Sequence, residues 1–188
     1  YMYIALTLVQ IVFLLAGRMP LFDAVTTAFG TAGTGGFGIK NDSMASYSPY
    51  IQNVVSVFMM LFGVTFAFYF LVLQRRLRRA FGIEEVRWYI GVILVCTVLI
   101  ACNIRHLYPT AGETLRHAFF QVSSIITTTG FATTDFNLWP EASKTVLVLL
   151  MFVGACAGST GGGIKISRVL ILGKTVRKEI HHFLHSQS

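Results

Sequence analysis

Four uncharged apolar runs, at residues 1–17, 54–73, 88–104 and 145–164, constrain this chain more than any other feature. Each is 17 to 20 residues long, the length a helix needs to cross the hydrocarbon core of a bilayer. One such run can be a buried helix of a soluble domain, but four in a chain of 188 residues point to a membrane. The composition agrees, with 54% hydrophobic and 12% charged residues, against about 25% charged in a soluble domain.

The net charge is +7, and its placement orients the chain. Arg75, Arg76, Arg78, Arg79 and Arg87 fall between the second and third runs, and Lys165, Arg168, Lys174, Arg177 and Lys178 follow the last glycine cluster. Only Glu84, Glu85 and Glu179 oppose them, whereas the remaining loops balance cations against anions. Basic loops stay cytoplasmic. The segment 75–87 and the C-terminus are therefore expected in the cytoplasm. The membrane reading accounts for the whole excess, so nucleic acid is set aside as a partner. Cys96, Cys102 and Cys156 lie within apolar runs without metal-ligand spacing and read as packing residues.

An internal repeat emerges on a shift of 94 residues. DAVTTAFGTAGTGGFG (23–38) then lies over HAFFQVSSIITTTGFA (117–132), with Gly36 on Gly130 and Phe37 on Phe131. Each copy runs from an apolar segment through a half-length helix to a Gly-Phe segment, a polar turn with Pro, and a second apolar segment. The half-helix expected at 114–126 would be about 20 Å long, too short to span. It would lie on the surface or enter and return as a pore helix with a loop. Non-helical backbone at membrane depth is tolerated only where protein buries it or water reaches it, and two copies favour the pore loop. The fold class expected is an all-α integral membrane protein. Its units are a helix–pore loop–helix repeat at 1–74, a basic cytoplasmic linker at 75–87 and a second repeat at 88–188.

A cation that sheds water needs oxygen ligands in its place, and backbone carbonyls turned to one axis supply them. Gly36 and Gly130 are assigned the positive-φ positions that such turning requires. Thr34, Gly35 and Phe37 complete one candidate filter segment, and Thr127, Thr128, Thr129 and Phe131 the other. The threonine hydroxyls tie the strand down, and both phenylalanines wedge it against neighbouring helices. Asp42 and Asp135, just beyond each segment, raise the local cation concentration.

A second glycine cluster, AGSTGGGIK (157–165), interrupts the last run. Gly158 and Gly163 have phosphate-loop spacing, but Ile164 stands where that motif needs Lys. Nucleotide binding is rejected. Adjacent glycines break a helix, giving either a flexible segment at 157–165 or close helix packing through small residues.

FGTAGTGGFGIKNDSM, AFFQVSSIITTTGFATTDF and AGSTGGGIKISR together resemble the Trk/Ktr/HKT superfamily of potassium transporters, most closely the bacterial TrkH-type subunits. The resemblance covers essentially the whole chain. It implies four helix–pore loop–helix repeats in pseudo-tetrameric array around one pore, of which this chain is similar to the second and third. It further implies that Gly36 and Gly130 are filter glycines binding K+ through carbonyls. By the same resemblance Gly158, Ser159, Thr160, Gly161, Gly162, Gly163 and Lys165 form an intramembrane gate. Family partners follow: a homodimer, membrane lipid, and a cytosolic nucleotide-binding regulatory subunit. Arg75–Arg79 and Arg168–Lys178 would face that subunit or anionic lipid. Two repeats supply half of such a filter, and the chain, opening at Tyr1 inside an apolar run, reads as a fragment.

The expected function is therefore K+ translocation across the cytoplasmic membrane, as channel or symporter, with pore loops approaching from outside. No covalent cofactor and no enzymatic activity are expected. The alternative is a non-conducting membrane assembly subunit whose glycines serve helix packing. His181, His182 and His185 read as a solvated tail.

Overall fold

The computed structural model describes residues 1–185. These contain α1 (Met2–Ala16), α2 (Leu21–Ala32), α3 (Pro49–Phe62), α4 (Phe66–Leu73), α5 (Leu77–Ala80), α6 (Glu84–Ile104), α7 (Ala111–Ile126), α8 (Glu141–Phe152) and α9 (Ile166–His185). Short 3-10 turns at Arg105–Leu107 and Phe136–Leu138 follow α6 and precede α8. No strand occurs among the described residues, where the only β feature is an isolated parallel bridge between Val153 and Ile164. The all-α architecture is as expected.

Local chemistry sets the starts of these helices. Ser48 precedes Pro49, and its hydroxyl accepts from the Ile51 N–H at 3.4 Å. Pro suits the first helical position because its missing N–H would have no partner there. Thr110 caps α7 by accepting from the Glu113 N–H at 3.3 Å, the Thr-x-x-Glu pattern of a capping box. Glu84 and Glu85 open α6, where carboxylates suit the positive end of the helix dipole.

The helices form two three-helix groups, α1–α2–α3 and α6–α7–α8, joined where α3 packs on α7. Tyr89, Ile93, Ile100, Ile104, Val122 and Ile126 are central to the core of the second group. The core of the first is built from Leu14, Met19, Met44, Ile51, Val55 and Met59. Phe120 and Phe131 come from the second group yet lie in the first group's core.

The apolar runs do not all form single spans. Among the described residues, the segment Glu84–Leu107 is the one helix long and apolar enough to cross a membrane unaided. The run 54–73 is broken between α3 and α4, which meet at 95°. A Cβ placed on Gly63 at that break would stand 2.1 Å from the Tyr89 hydroxyl, so the bend brings backbone where only glycine fits. Three tyrosines donate to carbonyls in the last turn of α3, where the i→i−4 ladder ends. Tyr3 donates to Phe62 at 3.1 Å, Tyr69 to Leu61 at 2.5 Å and Tyr89 to Met60 at 3.0 Å. The run 145–164 also fails to continue: α8 ends at Phe152, before the glycine cluster begins. Val153 turns to extended backbone, and the Gly154 N–H donates to the Ile164 carbonyl at 2.7 Å. The break is thus a closed excursion over 153–165, wider than the 157–165 expected.

Candidate functional site

The two short helices α2 and α7 end in the same way. Thr34 donates its N–H to the Thr31 carbonyl at 3.2 Å, and Gly35 to Gly30 at 2.9 Å. Exactly 94 residues on would be Thr128 and Thr129, which donate to Ile125 at 3.1 Å and Ser124 at 2.9 Å. Both sets are Schellman closures, with a left-handed residue just past the helix. Thr34 has φ 51° and Thr128 has φ 59°. Two residues later the backbone is left-handed again, at Gly36 (φ 68°) and Gly130 (φ 87°). Gly35 and Thr129, between them, keep negative φ. A β-branched residue tolerates the left-handed region poorly, so both threonines are held there by the helix closures.

The glycines differ in what surrounds them. A Cβ on Gly36 would fall 1.8 Å from the Thr129 carbonyl oxygen, whereas a Cβ on Gly130 would meet nothing within 4 Å. The first is a close approach of the two loops, and the second faces open space. The carbonyls of Thr34, Gly35, Gly36, Thr128, Thr129 and Gly130 accept no hydrogen bond among the described residues. In the second copy the flanking carbonyls do: Phe131 accepts from the Ser124 hydroxyl at 2.6 Å, and Thr127 from the Thr128 hydroxyl at 2.6 Å.

The threonine hydroxyls are engaged with protein. Thr127 donates to the Ser123 carbonyl at 2.6 Å and lies 2.8 Å from the Thr129 hydroxyl. The Thr128 hydroxyl accepts from the Gly162 N–H at 2.8 Å, and the Thr34 hydroxyl donates to the Thr160 carbonyl at 3.3 Å. The glycine-rich excursion is therefore tied to the inner ends of both Gly-Phe segments. Lys165 donates its ammonium to the Gly161 carbonyl within the excursion. Gly158 and Gly163 take positive φ, while Ser159 donates to the Cys156 carbonyl at 2.7 Å.

The two phenylalanines part company. Phe131 is buried against Gly30 of α2 and the first group's core. Phe37 is 84% exposed. The wedge expected of both is seen at Phe131 alone, because the helices that flank Phe37 here leave its ring uncovered.

Several contacts had no counterpart in the sequence reading. Ser43, with φ 56°, accepts from the Ala132 N–H at 3.2 Å, and the Met44 N–H donates to the Ala132 carbonyl at 2.9 Å. These staple the outer loop of the first copy onto the second. Burial, with the hydrogen bond from its hydroxyl to Asp23 at 3.0 Å, pushes the Tyr47 phenol up to about 12. Asp135 accepts from the Asn137 N–H at 3.0 Å, and Asp42 is exposed. The Ala157 N–H donates to Glu85 at 2.5 Å. Glu85 could have been suspected from a carboxylate abutting an apolar run, but nothing in the sequence names its partner. Among the described residues, no three or more His, Cys, Asp or Glu groups are placed to hold a metal ion. His181 and His182 are exposed, and the side chain of His185 lies outside the described residues.

A family model described as TrkH, cation transport protein, matches residues 2–187. The chain belongs to the TrkH family. TrkH of Salmonella typhimurium, a Trk system potassium uptake protein, is 34% identical over 189 residues, covering 97% of this chain and 39% of that protein. TrkI of Halomonas elongata, also a Trk system potassium uptake protein, is 30% identical over 183 residues, covering 95% of this chain and 37% of that protein. The crystal structure of the potassium transporter TrkH from Vibrio parahaemolyticus matches with a TM-score of 0.93 at 30% identity, over 100% of this chain and 42% of that one. The chain thus spans 37–42% of the length of these TrkH-family relatives. With this membership, its apolar helices are those of an integral membrane protein.

Proposed function

We propose that this chain supplies two of four segments of a potassium-selective conduction path across the cytoplasmic membrane. Thr34–Phe37 and Thr127–Phe131 act as the filter segments, and the excursion holding Gly158–Lys165 acts as the gate. The observation that carries this reading is the repeated backbone: φ is positive at Thr34 and Gly36, and again at Thr128 and Gly130. A filter needs successive carbonyls turned to one side, where an extended strand turns them to opposite sides, and left-handed residues depart from the extended strand. Six carbonyls of the two segments, at Thr34, Gly35, Gly36, Thr128, Thr129 and Gly130, have no protein donor. A partly dehydrated cation is the ligand that such oxygens suit. The hydroxyls of Thr34 and Thr128, held by the gate segment, hold the strand rather than the ion.

The relatives are named potassium uptake proteins, which supports K+ as the cargo. The basic segments around Arg75–Arg79 and Arg168–Lys178 support a cytoplasmic position for that side, with the pore loops approaching from outside. A homodimer and a cytosolic nucleotide-binding subunit belong to the same reading. An assembly subunit with glycines for packing accounts for Gly63, where a side chain would collide, but not for Gly130, which has no neighbour to pack against.

The test is ion flux through the complete protein carrying Gly130→Ser. A clear fall in K+ over Na+ preference is expected. An unchanged preference would remove the filter assignment.

A further inference from the structure

The gate segment is non-helical backbone whose first residues, Gly154, Ala155 and Cys156, are buried, so N–H groups at that end call for acceptors. The Gly154 and Cys156 N–H groups donate to the carbonyls of Ile164 at 2.7 Å and Gly63 at 3.1 Å, but the Ala157 N–H is met by a charge and donates to Glu85 Oε1 at 2.5 Å. A carboxylate acceptor makes a shorter and stronger bond than a neutral carbonyl. Glu85 is partly buried and sits in the first turn of α6, so its charge is steadied by the helix dipole. The neighbouring carboxylate, Glu84, pairs with Lys174 of α9 at 2.6 Å, with 51% and 64% of the two side chains exposed. α9 is the helix into which the gate segment runs. Consecutive residues of one helix turn therefore hold the start of the segment and the helix that ends it. Immediately before the first anchor stands Cys156, fully buried and adjacent to the N–H that Glu85 holds.

We propose that Glu85 is the positioning residue that fixes the glycine-rich segment in its closed placement, with the exposed Glu84–Lys174 pair as a weaker second hold. This rests on the gate reading above. Glu85 is remote from the filter carbonyls in its contacts, so it sets how often the path opens and leaves ion preference alone. Displacing α9, whose outer turns are solvent-exposed, strains the weaker hold first and then the Glu85 bond.

The experiment uses the complete protein with Cys96→Ala and Cys102→Ala, and three further versions: Glu85→Ala, Glu85→Gln and a deletion of Gly161–Gly163. Two readouts are taken without regulatory nucleotide: K+ and Na+ flux, and the rate at which a small methanethiosulfonate labels Cys156. Losing a hydrogen bond to a charged group shifts a two-state equilibrium by roughly tenfold or more. Glu85→Ala is expected to raise both basal flux and Cys156 labelling by about that factor at unchanged K+ over Na+ preference. Glu85→Gln, which keeps an acceptor without the charge, falls between it and the parent. If the deletion alters flux while both Glu85 variants match the parent in flux and labelling, the positioning role is wrong and the gate reading stands. If the deletion also leaves flux unchanged, the gate reading fails and takes this proposal with it. A misfolded Glu85→Ala leaves Glu85→Gln to decide, since unchanged labelling there overturns the claim.

Discussion

The two copies of the repeated unit agree at one place and diverge at another. They agree at the end of the short helix, where α2 and α7 close with matched hydrogen bonds and left-handed residues at the same offsets. They diverge in the helix that follows. In the first copy it is interrupted only at 63–65, by a bend of 95° between α3 and α4. In the second the interruption covers 153–165 and folds back until the Gly154 N–H reaches the Ile164 carbonyl. The lesson is a division of labour. On the proposed function, backbone that both copies would present to a shared path is the same in each, and backbone that only one copy would need is elaborated in that copy alone.

The first way to break this comparison is at its glycines. Gly36→Ala in the complete protein puts a Cβ against the Thr129 carbonyl, and K+ flux is expected to fall below detection. Gly130→Ala has only its φ of 87° to overcome, at about 1–2 kcal/mol, and the protein is expected to accumulate normally. Equal losses of protein in the membrane fraction would show that the two sites are not distinguished by packing. Phe131→Ala comes next. Its ring is 1% exposed and fills the first group's core, and truncating such a ring costs about 3–5 kcal/mol. A thermal midpoint lower by several degrees is the expected result, and an unchanged midpoint would contradict the placement of Phe131 between the two groups.

A smaller effect sharpens the link between the conserved-geometry end and the elaborated break. Thr128→Val keeps the branched shape but leaves the Gly162 N–H without its acceptor, a loss of about 0.5–1.5 kcal/mol. Basal flux is expected to rise more than in Thr34→Val, whose hydroxyl bond is longer, at 3.3 Å against 2.8 Å. The reverse order would argue against the Thr128 contact as the stronger tie. Smallest is Lys174→Ala, which removes a solvent-exposed ion pair, a kind that contributes little. A shift in basal flux no greater than a few-fold is expected, and one larger than that of Glu85→Ala would invert the proposed ranking of the two holds.

Much of this was legible in the sequence because it is written in residue type and period. The apolar runs, the offset between copies and the glycines at Gly36 and Gly130 all announce themselves. The helix expected at 114–126 instead begins at Ala111, behind the Thr110 cap. The breaks were harder. Nothing local marks Gly63 as a bend, since a lone glycine in an apolar run is tolerated in a helix. What requires glycine at the bend is Tyr89, distant in sequence, whose hydroxyl occupies the space a side chain would need. The early stop of α8 at Phe152 is likewise set by pairing across the excursion, at Val153 and Ile164, rather than by the glycines that drew attention to it. Glu85 was readable as a charge but not as a ligand of Ala157, and the differing fates of Phe37 and Phe131 depend on which helices lie beside each.

The central claim is that unpartnered carbonyls at Thr34–Gly36 and Thr128–Gly130 replace the water of a dehydrated cation. Anomalous scattering from crystals of the complete protein soaked in Rb+ or Tl+ tests it most directly. The account predicts density on the axis between the two segments, in contact with carbonyls from both. Crystals that bind the ion elsewhere, with these carbonyls turned to protein and no peak between them, would contradict it.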